Sequence, residues 1–257
     1  MMRARVRKLV VLCVVAIAVG GCAAARPPGG NYSEAEYDPW EPFNRNMTVF
    51  NDRVDRWTTR PLAIGYRKVT PQFVRRGINN VFSNLGYPLV FVNDFLQGKF
   101  AQGGRDLLRF GINSTIGVAG IFDAGSRFGL EENNEDFGQT LAVWGVPAGP
   151  YIVLPFFGPS TLRDGPSSAA SFVLDGRNYI AGASVQDKLL ILDIISARAS
   201  LLSAESLLED SYDPYLTLRE SWLQRREYLI YDGEPPVAED EFLDEFLEED
   251  DEDVAQP

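Results

Sequence analysis

Residues 137 to 162 carry no charged side chain over 26 positions, yet four prolines (147, 150, 155, 159) and four glycines (138, 145, 149, 158) interrupt them. The stretch is long enough to cross a bilayer, but prolines this close together remove too many backbone donors for one helix. Two arrangements satisfy that constraint. One is an apolar hairpin, re-entrant or interfacial, whose irregular backbone is buried in protein or lines a cavity. In that case Trp144, Tyr151, Phe156 and Phe157 can sit at headgroup depth. The other is a buried loop in a soluble core. Residues 77–93 and 110–122 are also free of charge, whereas a soluble helix of that length normally exposes several.

Around these stretches the hydrophobic period is helical. Phe43, Met47, Phe50, Val54 and Trp57 step by four and three, behind Pro42 in a first helical turn. Thr70-Pro71 reads as an N-cap with proline at the first helical position. The stripe Val74, Ile78, Val81, Leu85 stops at Gly86-Tyr87-Pro88 and resumes at Leu89, Val92, Leu96, which predicts two helical arms joined by a kink or tight turn. Ser184-x-x-Asp187 resembles a capping box ahead of a stripe from Leu190 to Leu208, and Asp213-Pro214 opens a last helix through Trp222 to Leu229. Strand patterns are scarce, Val143–Leu154 being the one tempting place. The class is mainly α, and taken singly each stripe reads as core packing.

The N-terminus supplies a membrane attachment. Four basic residues precede an apolar run from Leu9 to Val19, too short to span a bilayer, and Val19-Gly20-Gly21-Cys22 resembles a bacterial lipobox. The organisation expected is a signal peptide over 1–21, a lipidated Cys22 with a flexible tether over 22–37, a helical domain over 38–231 and an acidic tail over 232–257. The tail holds 13 acids and no base, while the domain is nearly balanced, so the net charge of −12 belongs mostly to the tail. A disordered solubilising segment fits that composition, and so does a short docking peptide built on Phe242, Leu243, Phe246 and Leu247. The balanced body argues against nucleic acid as a partner. With Cys13 removed and Cys22 acylated no disulfide is available. Histidine is absent, which removes the commonest nucleophile pairs and zinc ligands. No metal, cofactor or catalytic residue is indicated. Glu131, Glu132, Glu135 and Asp136 offer paired carboxylates without the pattern of a calcium loop, and read as a solvated loop.

Asp38-Pro-Trp-Glu-Pro-Phe-Asn-Arg45 resembles the entry motif of the MlaA (VacJ) lipoprotein family. The resemblance continues in order through Arg60-Pro-Leu-Ala63, Val92-Asn-Asp-Phe-Leu-Gln-Gly98, Asn113-Ser-Thr-Ile-Gly117, Phe137-Gly-Gln-Thr-Leu141, Thr161-Leu-Arg-Asp164 and Ser211-Tyr-Asp-Pro-Tyr215. It covers about residues 38–231. It implies a single-domain ring of amphipathic in-plane helices around a central channel, with a Gly/Pro-rich hairpin, anchored through Cys22 on the periplasmic side of the outer membrane. It further implies removal of misplaced outer-leaflet phospholipid without a covalent step, association with a trimeric porin, and delivery to an MlaC-like periplasmic carrier. On this view Gly145, Gly149, Pro150, Tyr151, Pro155 and Phe156 are candidates for the channel wall or its hinge. Pro147 departs from the family's pattern at a place where proline would stiffen the hairpin. Asn44, Arg45, Arg109 and Arg163 are candidate headgroup contacts or interhelix anchors. A scaffold lipoprotein that binds protein partners, or a phospholipase lacking any evident nucleophile, are the competing readings.

Overall fold

The structure is a computed structural model, and it describes residues 37–175, 182–205, 208 and 210–236. The signal peptide, Cys22, nearly all of the tether and the tail beyond residue 236 lie outside the described residues. Nine α-helices and one β-hairpin are described: α1 (Glu41–Val54), α2 (Arg60–Val69), α3 (Gln72–Leu96), α4 (Phe100–Thr115), α5 (Ala124–Arg127), α6 (Phe137–Val143), β1 (Tyr151–Leu154), β2 (Gly158–Thr161), α7 (Asp164–Leu174), α8 (Ala183–Leu201) and α9 (Pro214–Ile230). None of the described helices is long and apolar enough to cross a membrane.

A π-helical turn, Asp55–Thr59, joins α1 to α2 without a break. Its place follows from Pro61, which cannot donate to the carbonyl of Trp57; the wider turn absorbs the lost bond. Further on, α3 continues through Pro88, so the two arms belong to one helix and no tight turn separates them. The cost of an internal proline, about 3 kcal/mol, is offset because α4 folds back along α3 after a three-residue turn and braces both arms. Gly103 makes that approach possible, since a Cβ there would sit 2.7 Å from the Phe95 ring. Two cap readings also shift. α3 begins at Gln72 with Pro71 itself as the cap, and α8 begins behind Gly182, so Ser184 is not its N-cap. The α8 helix ends at Leu201, before the predicted stripe does. By contrast, Asp213 caps α9 as read from the sequence, accepting from the backbone N–H groups of Tyr215 and Leu216.

The uncharged stretch at 137–162 resolves into three pieces: α6, a coil over 144–150, and the antiparallel hairpin β1–β2, with Tyr151 opposite Thr161 and Leu154 opposite Gly158. Its turn is Pro155-Phe156-Phe157, and both phenylalanines project outward. Tyr151 does not. It is fully buried beside Val153 and Tyr215, with Trp222 edge-on at 6.1 Å, so its expected place at headgroup depth is corrected. Burial explains this: in a two-stranded ribbon alternate residues face the same way, and Tyr151 and Val153 face α1 and α9.

The distribution of polarity runs opposite to that of a soluble domain. Asn44, Asn93, Asp94, Asp106, Arg109, Gln139, Thr140 and Asp164 are buried, while Phe43, Trp57, Val69, Phe73, Phe100, Ile116, Phe122 and Ile191 lie exposed. The stripe on α1 points outward for most of its length; Trp57 is 83 % exposed, and it is Asn44 and Asn51 that face the protein. On α8 likewise Leu190, Ile194 and Leu201 are exposed, and Ser196 and Ala199 are buried. The α8 stripe and much of the α1 stripe are therefore outer surface, whereas the α3 stripe is mostly half-buried and the α9 stripe packs on the core through Tyr215 and Trp222.

Candidate functional site

The N-terminal motif builds the frame. Asn44 is fully buried. Its Nδ2 donates to Asp38 (2.7 Å) and to the carbonyl of Tyr151 (3.1 Å), and its Oδ1 accepts from the Val153 N–H (2.8 Å). Two turns on, Asn51 donates to the Leu154 carbonyl (2.9 Å) and accepts from the Phe156 N–H (2.7 Å). The two asparagines thus serve the free edge of β1 as a neighbouring strand would. Arg45 grips Asp213 with both terminal nitrogens (3.1 and 2.9 Å) and stacks 4.5 Å over the Tyr215 ring, tying α1 to the start of α9. Asp38 also accepts from the Tyr215 hydroxyl and from Arg219.

Arg109 and Arg163 take internal partners as well. Arg109 pairs with Asp123 (2.9 Å), donates to Ser126 and to the Leu130 carbonyl, and lies over Tyr87. Arg163 pairs with Asp164 (2.9 Å) and reaches the Val146 carbonyl (3.3 Å). From α9, Arg226 bridges Asp164 and Asp136, and Asp136 caps α6. Burial alone would raise both carboxyls, but the guanidinium groups outweigh it and hold them below the usual carboxylate range. All four candidate residues take partners within the protein.

A cavity of about 700 Å³ opens along one face of α3. Phe82, Gly86, Leu89 and Val90 give it an apolar strip. Asn79, Ser83, the loop 132–135, Asp193 and Ser200 of α8, and Arg225 of α9 give it polar walls. None of Gly145, Gly149, Pro150, Tyr151, Pro155 and Phe156 lines it. The hairpin instead packs on α1 and α9, and the wall comes from the uncharged face of α3. Gly145 and Gly149 hold φ of +85° and +68°, where side chains are strained, and a Cβ on Gly149 would press on Leu162 at 3.1 Å.

The loop wall is latched from behind. Asn133 donates through Nδ2 to Asp94 (3.2 Å) and Asp106 (3.0 Å), and its backbone N–H donates to the Tyr87 hydroxyl. Asp94 is fully buried beside a second carboxylate. Burial first, then the hydrogen bond and charge of Asp106, push it up to about 8, so it holds a proton at neutral pH. Glu135 is raised by the same burial although Lys99 (2.9 Å) and Gln97 (2.7 Å) oppose it. The expected solvated loop of acids is corrected here: Glu135 and Asp136 are bound inward. Sequence reasoning assigned no role to Asn51, Asp94, Asp106 or Asn133. A signal was present for two of them: Asp94 interrupts an apolar stripe, and Asn51 lies seven residues from Asn44 on the same helix face.

The comparisons agree with this geometry. A family model described as MlaA lipoprotein matches residues 36–229. The intermembrane phospholipid transport system lipoprotein MlaA of Shigella flexneri is 38% identical over 218 residues, covering 83% of this chain and 85% of the relative. Its Haemophilus influenzae counterpart is 31% identical over 250 residues, 95% and 99% of the two chains. An uncharacterized protein of Rickettsia bellii is 35% identical over 193 residues, 74% and 76%. A solved structure, described as the structural basis for maintenance of bacterial outer membrane lipid asymmetry, superposes with a TM-score of 0.67 at 35% identity, covering 75% of this chain and 98% of that one.

Proposed function

This chain belongs to the MlaA lipoprotein family, and from that premise we propose that it draws misplaced phospholipid from the outer leaflet of the outer membrane and passes it to a periplasmic carrier. The single observation that carries the reading is the inverted polarity: apolar side chains outside, buried polar ones inside, and a cavity with one apolar strip between polar walls. An apolar exterior of this extent is costly in water and neutral among lipid tails. Helices too short or too polar to cross the bilayer then lie in its plane, as a ring sunk in the inner leaflet and tethered by acylated Cys22.

Within such a ring the cavity serves as the conduit. Its volume falls in the range of about 300–1,000 Å³ typical of ligand sites. Acyl chains lie along Phe82, Leu89 and Val90, and the headgroup is hydrated or held by the polar wall. No bond is made or broken, so the protein is a transporter rather than an enzyme, and its relatives are named for transport. A trimeric porin is the expected neighbour in the membrane and an MlaC-like protein the expected acceptor. The exposed Phe156 and Phe157 at the hairpin turn anchor the ring at the lipid boundary.

The test is outer-leaflet phospholipid in a strain lacking the gene, read by acylation from a surface-acting phospholipase. A rise that the wild-type gene reverses and Cys22→Ala does not supports an anchored lipid conduit. An unchanged surface, with the wild-type protein present in the outer membrane, rejects it in favour of a scaffold.

A further inference from the structure

This inference rests on the conduit reading and deepens it. A smaller cavity, about 160 Å³, opens under the first turn of α3 and shares Asn79 and Ser200 with the large one. Arg75 and Arg76 line it together with Gln72, the Tyr66 hydroxyl of α2 and Ser196 of α8, and its lining includes no carboxylate. The contrast with the large cavity is chemical, because Glu132, Glu135, Asp175 and Asp193 border that one.

The two arginines differ from seven that pair inside the protein. Arg45, Arg60, Arg109, Arg163, Arg198, Arg219 and Arg226 each pair with a carboxylate. Among the described residues, neither Arg75 nor Arg76 makes an ion pair or a side-chain hydrogen bond, and Arg75 Nε is sealed from solvent with no acceptor. A buried charged donor left without an acceptor is destabilising unless something else supplies one. An anion is a partner that would satisfy it. The N-terminal end of a 25-residue helix adds positive potential at the same place. Ser196 donates to Asn79 (2.5 Å) and lies 3.4 Å from the Tyr66 hydroxyl, which fixes the wall between the two cavities.

We propose that this annex is a phosphate site, in which Arg75 and Arg76 hold the phosphodiester of a lipid whose chains occupy the larger cavity. Planar guanidinium groups donate in pairs to phosphate oxygens, and the volume accommodates one tetrahedral oxyanion. The same chemistry would accept free phosphate, so the test carries both sources.

Full-length protein in detergent is titrated with a phosphatidylethanolamine bearing one fluorescent chain, with a diacylglycerol bearing the same chain, and with inorganic phosphate. Arg75→Gln with Arg76→Gln should weaken the phospholipid about tenfold or more and leave the diacylglycerol unchanged. The exposed Arg76→Gln alone, with an unchanged melting curve, should reproduce part of that loss, and Arg75→Lys should restore part of it. Phosphate binding that the double variant abolishes, with phospholipid affinity intact, keeps the anion site and assigns it to free phosphate. Affinities unchanged for every probe, or an equal fall for phospholipid and diacylglycerol, overturn the site. Should the wild type bind neither lipid, the conduit reading fails, while the phosphate arm still decides the annex.

Discussion

Two residues test the logic of a polar interior directly. Asn44 serves three partners at once, two of them backbone groups of β1. Alanine would leave a buried N–H and C=O unpaired, and Asn44→Ala should cost about 2–4 kcal/mol, seen as a lowered melting temperature in detergent. A loss within 0.5 kcal/mol would mean that water reaches the β1 edge. Asp94 gives a pH signature. Its carboxyl is raised on folding from the ordinary value of about 4 to about 8, so folding takes up a proton. The stability this brings is complete below pH 4 and is lost as pH climbs through 8, by at most about 1.4 kcal/mol per unit. Asp94→Asn can still accept from Asn133 and should gain on the wild type steadily from pH 5 to 8. Parallel melting curves across that range would refute the shared proton.

Glycines decide how elements meet. A Cβ on Gly138 would lie 2.3 Å from an Arg226 nitrogen and 2.4 Å from Asp164, inside the bridge that joins α6, α7 and α9. Gly138→Ala should cost about 3–5 kcal/mol, since it parts a buried ion pair, whereas Gly65→Ala in α2 has open space and should gain about 0.5–1 kcal/mol. Equal effects, read from unfolding in detergent, would show that the bridge holds nothing. Gly149 combines φ +68° with Leu162 close by, and Gly149→Val should raise surface phospholipid if the hairpin bends there. An unchanged surface in that mutant would end the hinge idea. At this scale the reading from sequence was uneven. The helix at Pro42 and the cap at Asp213 were legible because both signals are local. The unbroken α3 was not, because α4, distant in sequence from the first arm, supplies the brace that outweighs Pro88.

At the scale of the whole molecule, the proposed function sets an apolar face against lipid. Phe156 and Phe157, 72 % and 81 % exposed, form the tip of the hairpin. In a Cys22→Ala background, which removes the proposed acylation site, Phe156→Ser with Phe157→Ser should weaken sedimentation with phospholipid vesicles about tenfold or more. Sedimentation equal to that of the single Cys22→Ala protein would place the membrane face elsewhere. The sequence by itself determined the helical class and the presence of long uncharged stretches, because composition and periodicity are written along the chain, and its ordered motifs from residue 38 to 231 carried the resemblance to the family. What it could not determine was which side of each stripe faces in. A period of 3.6 is the same whether apolar residues meet a core or lipid, so Trp57 and Ile194 read as core until their surroundings were seen. Only the tertiary structure turned the α8 stripe and much of the α1 stripe outward, brought Asn133 onto Asp94 and Asp106, and gathered the cavity wall from α3, α8 and α9. Those juxtapositions join residues up to about 150 positions apart, and no local pattern records them.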